Sequence, residues 1–365
     1  MLISSKDKIS TPQAVVVVTN FILATGILTL PRTSVEKVKT PDVWISVILG
    51  GLIMMIAGII MVKLSQQFPG KTFYQYNQEI LGKWVGWLLS LFFICYFLVG
   101  SALQVRSMAE VTSLFLLEST PIWAIIMPFM WIGLYLIIGG INSIARMFEI
   151  IFPITIVFFL LVLFMSYKLF EIDNLRPVLG SGIIPVLKGI QTTTYAYTGP
   201  EIMLLLLAFM RQPNKAVKVV LIGTAIPLFF YVFLVVMVIG ALSIDGVIMR
   251  TWPSIDLIRS FEISGLIFER FESLLLAIWI MQIFASFTIS YYAAALGLAQ
   301  LFKKNLNQFV YGLLPVIYII AMIPKTINDL FKLGDVIGNT LVIFFLTGVL
   351  PLFLFMIIKC KGGKA

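Results

Sequence analysis

The chain has 365 residues, of which 60% are hydrophobic and only 12% charged, with a mean hydropathy of +1.04, whereas a soluble domain carries about 25% charged residues. A water-soluble core needs no such apolar surface. The net charge of +9 sits in short segments between apolar runs, which fits membrane topology rather than nucleic-acid binding.

No histidine is present, which removes the commonest metal ligand and general base, so no metal, cofactor or triad enzyme is expected. The two cysteines, Cys95 in an apolar run and Cys360 in a basic tail, do not make a disulfide framework. The opening residues Met1 to Lys8 lead into a long apolar stretch without a small-residue cleavage site, so the first helix is expected to be retained.

Stretches of roughly 20 apolar residues, the length that crosses a hydrocarbon core of about 30 Å, predict ten spans. They cover 11–31, 41–64, 84–104, 121–141, 147–167, 183–210, 216–242, 271–299, 308–324 and 336–358. The expected architecture is a single all-α transmembrane domain, 1–365, with one five-helix half in 1–167 and another in 183–358. An even number puts both termini on one side. Fourteen Lys and Arg fall on that side against twelve on the other, so the termini are read as cytoplasmic.

The first span holds Ala24-Thr25-Gly26 mid-membrane and reaches Pro31; the sixth holds Thr194-Tyr195-Ala196-Tyr197-Thr198-Gly199-Pro200-Glu201. Interior Gly costs a helix about 1 kcal/mol against Ala and interior Pro about 3 kcal/mol, so both spans should break there. Unwound backbone at membrane depth is tolerated only where it is buried in protein or lines a cavity. Breaks at matching positions of two halves point to a central binding site.

Several segments carry a family resemblance: Gly26-Ile27-Leu28-Thr29-Leu30-Pro31-Arg32, Leu81-Gly82-Lys83-Trp84, Arg106-Ser107-Met108-Ala109-Glu110, Asn174-Leu175-Arg176-Pro177-Val178-Leu179-Gly180 and Phe268-Glu269-Arg270-Phe271-Glu272-Ser273. Together they resemble the B subunits of the nutrient germinant receptors of endospore-forming bacteria, in the amino acid-polyamine-organocation transporter superfamily. The resemblance runs over nearly the whole chain. It implies a leucine-transporter-like fold with five-plus-five inverted repeats and broken helices 1 and 6. It also implies a place in the spore inner membrane beside a large A subunit and a lipoprotein C subunit.

The candidate ligand site follows from the breaks and their neighbours. Ala24, Thr25 and Gly26 offer small side chains and free amides suited to an anionic group such as a substrate carboxylate; the alternative for Gly26 is helix packing. If ligand approaches there, Gly26→Ala should be milder than Gly26→Phe. Tyr197, Thr198 and Glu201 stand at the second break. Glu201 either closes a capping box with Thr198, three residues earlier, or serves sensing or proton coupling as an intramembrane carboxyl. Tyr96 with Gly100, and Ser286 with Ser290, fall at i and i+4 and share a helix face. Arg106 with Glu110 and Arg146 with Glu149 read as structural ties or subunit contacts rather than as chemistry. The expected ligand is a nutrient, an amino acid; an active proton-coupled transporter is the alternative reading.

Overall fold

A computed structural model describes residues 7–260, 271–339 and 349–360. Among these residues all regular structure is helical, and the only extended pairing is an isolated bridge between Ile9 and Met210. The elements in chain order are α1 (Thr11–Val38), α2 (Val43–Ser65), α3 (Phe73–Leu81), α4 (Lys83–Phe115), α5 (Ile122–Ile138), α6 (Gly140–Ser166) and α7 (Ile184–Ala196). Then come α8 (Pro200–Phe209), α9 (Ala216–Ile248), α10 (Pro253–Arg259), α11 (Phe271–Phe302), α12 (Leu306–Met322), α13 (Ile327–Asn339) and α14 (Leu350–Cys360).

Each of the first nine predicted spans coincides with one long helix or, for the sixth, with the pair α7 and α8. The tenth falls on the end of α13, on residues 340–348 outside the described ones, and on α14. Several helices overrun their predicted limits: α1 continues past Pro31 to Val38, and α4 past residue 104 to Phe115. α12 turns back through 116° into α13, so the two are separate arms. The short α3 was not expected; Thr72 and Gln75 form a capping box at its start, and Gly82, at φ 83, turns the chain into α4. Exposed apolar side chains such as Trp84, Trp131, Ile132, Val157, Phe164 and Ile319 stud the outside. That is the surface a bilayer covers, and the protein is an integral membrane protein.

Helix α1 consists of two arms, Thr11–Ala24 and Gly26–Val38, meeting at 51°. Side chains from elsewhere meet its freed carbonyls. The Tyr231 hydroxyl of α9 inserts at the bend and donates to the Ile22 carbonyl at 2.6 Å. Pro31 has no N–H to offer the Ile27 carbonyl four residues back, and the Ser254 hydroxyl of α10 donates there at 2.8 Å. A bend of this kind has an identifiable cause, a side chain inserted into the backbone ladder.

Below the bend, a buried polar cluster joins three helices. Gln282 of α11 donates to Asn20 of α1 at 2.9 Å and to Thr155 of α6 at 2.5 Å. On the face that carries residue 9, the lead into α1 is tied to the end of α8. There Ile9 exchanges backbone hydrogen bonds with Phe209 and Arg211 at 2.8 and 2.9 Å, and Lys8 donates to the Ala208 carbonyl at 3.0 Å.

Candidate functional site

The sixth span breaks where Thr-Gly-Pro interrupts it. α7 ends at Ala196, and Gly199 takes φ 150, a conformation that side-chain-bearing residues avoid. A Cβ at Gly199 would also press on Ile22 of α1. The two interrupted helices therefore touch at their breaks.

Glu201, in the first turn of α8, is completely buried. Its Oε2 accepts from the Gly199 amide at 2.7 Å, and its Oε1 accepts from the Tyr96 hydroxyl of α4 at 2.7 Å. The capping box with Thr198, one of the two readings open from sequence, does not form. The Thr198 hydroxyl donates to the Tyr195 carbonyl instead, at 2.9 Å. The reason is Gly199: its backbone swings the chain so that the carboxyl meets the Gly199 amide rather than that of Thr198.

A cavity of about 330 Å³ lies against this break, at the lower end of the range for small-molecule sites, roughly 300–1,000 Å³. Seven of the ten candidate residues line it: Gly26, Tyr96, Gly100, Thr198, Glu201, Ser286 and Ser290. Gly100 faces open space, with nothing within 4 Å of a Cβ added there. Two candidates lie elsewhere. Ala24 is fully buried in the core, and the Tyr197 ring packs edge-on against Tyr231 at 5.2 Å. The Thr25 side chain lies outside the described ones. Both exceptions have one cause: at the bends, successive residues point to different sides, and only one side faces the cavity.

Gly26 has a double position, lining the cavity and packing under Tyr231. An added Cβ would collide with the Tyr231 ring and hydroxyl, so even alanine meets close packing there, and phenylalanine, which adds a ring to the same Cβ, meets more. The cavity runs to the face opposite residue 9, where Glu36, Lys37 and Glu110 stand at its rim. Ile327, Leu330 and Gly334 of α13, spaced i, i+3 and i+7, form part of its wall.

Arg106 and Glu110 pair at 2.6 Å, almost buried beside the rim, and Arg106 also reaches the Lys325 carbonyl at 3.4 Å. This tie links α4 to the start of α13. Glu149 accepts from Gln13 of α1 at 3.2 Å; no ion pair with Arg146 occurs among the described residues. Groups of three or more His, Cys, Asp or Glu placed to hold a metal are absent among the described residues.

The lining includes residues that were not singled out in the sequence: Phe21, Gln104, Thr192, Tyr195 and Trp279. Gln104 follows Gly100 by four and Tyr96 by eight, and Trp279 precedes Ser286 by seven. Extending the two helix stripes by one or two turns would have found both.

Two solved structures share this architecture. One is Mhp1, a nucleobase-cation-symport-1 family transporter in a closed conformation with bromovinylhydantoin bound (TM-score 0.65, 12% identity, covering 97% of this chain and 80% of that one). Another is MhsT in complex with L-phenylalanine (TM-score 0.68, 11% identity, 96% and 89%). At such identities the likeness shows the fold, which is leucine-transporter-like. Sequence relatives are closer. The chain is 55% identical over 99% of both lengths to spore germination protein YndE of Bacillus subtilis (strain 168). Two others from that strain are spore germination protein A2, at 36% over 97% of this chain and 96% of the relative, and B2, at 32% over 99% and 98%. With the spore germination protein model also matching residues 8–330, the chain belongs to the spore germination protein family, as a germinant receptor-type membrane protein.

Proposed function

We propose that this protein is the nutrient-sensing membrane subunit of a spore germination receptor and binds an amino acid in the central cavity. The observation that carries this reading is the convergence of the α1 bend, the α7–α8 break and the facing stripes of α4 and α11 on one cavity of about 330 Å³. Its relatives are spore germination proteins, and the L-phenylalanine held by MhsT is a ligand of the proposed class in a protein of the same fold.

In this reading the protein sits in the spore inner membrane with both termini cytoplasmic, residues 1–167 and 183–358 form the two inverted halves, and A and C subunits read out its state. Ligand shifts the conformational balance only through different affinities for the two states. The Ile9–Phe209 bridge ties the residue 9 face together, and the cavity lining extends towards the other face, to Glu36, Lys37 and Glu110; in this reading ligand enters from that side, and release of the Ile9–Phe209 contact is the natural second state.

The second reading, a proton-coupled amino-acid transporter, draws on Glu201, a buried carboxyl with no cationic partner among the described residues. Purified protein in proteoliposomes separates the two. Binding of labelled amino acid without uptake supports the sensor, concentrative uptake driven by a proton gradient supports the transporter, and absence of binding to any amino acid defeats both.

A further inference from the structure

The cavity has two polar levels, and the protein satisfies only the deeper one. At the floor, both Glu201 oxygens already accept hydrogen bonds, from Tyr96 and from the Gly199 amide. Higher up, the Gln104 side-chain oxygen of α4 and the Ser286 hydroxyl of α11 are buried without a hydrogen-bond partner, and both residues line the cavity. Buried polar atoms are normally paired, so two orphans on residues of one cavity lining, carried by two different helices, point to a missing group.

Two contacts fix their relative height. Gly297 of α11 packs on Ile94 of α4. At the other end Arg259 lies over the Phe115 ring at 5.0 Å and 3.8 Å from Glu272. The helices are therefore antiparallel. Counting outward from the Ile94 contact at 1.5 Å per residue, Gln104 stands about 15 Å along α4 and Ser286 about 16 Å along α11. By this count the two stand at a similar height in the lining of one cavity, Gln104 about 12 Å above Tyr96 by the same rise. Of the charged lining residues, Glu201 lies at the floor beside Tyr96, and Glu110 stands six residues, about 9 Å, beyond Gln104 on α4.

We propose that Gln104 and Ser286 form a second subsite, specific for a neutral group that both donates and accepts hydrogen bonds, a carboxamide or a hydroxyl, at the end of the ligand remote from Glu201. The inference rests on the central cavity being the ligand site. The chemistry is set by the donor inventory. The Gln104 oxygen can only accept, which opposes an anionic group, and the Ser286 hydroxyl can do either; the Arg106 guanidinium, two residues further along α4, opposes a cationic one. Gln104 is thus a specificity-determining residue.

The test is equilibrium binding to the full-length protein in lipid nanodiscs, with glutamine against norleucine and glutamate as one set, and threonine against valine as the other. In at least one set the neutral polar member should bind tenfold or more tightly than its comparators, since a site built to hydrogen-bond a group rejects analogues lacking it by about that factor or more. Gln104→Leu and Ser286→Ala should each cut that preference to about twofold, chiefly by weakening the binding of the neutral polar member. The proposal is overturned if the apolar members bind equally well, if the preference survives both substitutions, or if no polar probe binds. Gly100→Leu, which fills the space between the two levels, separates this from failure of the site itself. Unchanged binding of every probe to that variant would remove the cavity as the site, whereas loss of binding there with an unaltered preference in Gln104→Leu would sink the second subsite alone.

Discussion

The Tyr96 hydroxyl donates to Glu201 Oε1 across 2.7 Å, tying the middle of α4 to the first turn of α8. Removing the hydroxyl in Tyr96→Phe strands a buried acceptor, at a cost of about 1–3 kcal/mol. Thermal unfolding of the detergent-solubilised protein should register that loss. Glu201→Gln should be milder in stability, because the amide oxygen can accept from Gly199 while its NH2 group donates to the Tyr96 oxygen. The same variant should lose nutrient response at normal abundance if the charge or proton of Glu201 serves switching, the outcome expected here. A normal dose response and pH dependence would assign Glu201 to structure alone.

Gly100→Leu places a side chain where no atom stands within 4 Å of the new Cβ. Insertion and thermal stability should hold or improve, since the added side chain buries apolar area at about 25 cal/mol per Å². Ligand affinity should fall at least tenfold. An unchanged dose response in an assembled mutant removes Gly100 from the site.

Gly26→Ala should be poorly tolerated even though alanine adds one methyl. Overpacking of a tight core costs about 1–3 kcal/mol, and the collision is with the Tyr231 ring and hydroxyl at the α1 bend. Combining it with Tyr231→Phe, which removes one of the colliding atoms along with the Ile22 hydrogen bond, should cost less than the two single changes added together. Strict additivity in that double-mutant cycle would show that Gly26 is not packed as described.

Ser254→Ala should cost about 0.5–1.5 kcal/mol, because the hydroxyl serves the Ile27 carbonyl that Pro31 leaves without a helical donor. In a Pro31→Ala background the backbone N–H returns and the same substitution should cost measurably less. Equal cost in both backgrounds, by thermal unfolding, would mean that the hydroxyl acts on something other than this carbonyl.

What the sequence determined by itself was local. Apolar runs of membrane length located the helices, and Ala24-Thr25-Gly26 and Thr198-Gly199-Pro200 marked the bend in α1 and the break between α7 and α8, because Gly and Pro act on the backbone of their own segment. Side-chain periodicity likewise put Tyr96 with Gly100, and Ser286 with Ser290, on shared faces. Tertiary structure decided everything that joins one segment to another. Tyr231 fills the α1 bend from 209 residues away, and Tyr96 binds Glu201 across 105. The Thr198–Glu201 motif was complete in sequence and still formed no capping box. Gly199 redirected the chain, and the carboxyl found partners in the Gly199 amide and in another helix. Ala24 and Tyr197 turned away from the cavity while Gln104 and Trp279 turned into it. A helix's own pattern states which of its faces resemble one another, but which face meets the cavity depends on how the whole bundle packs.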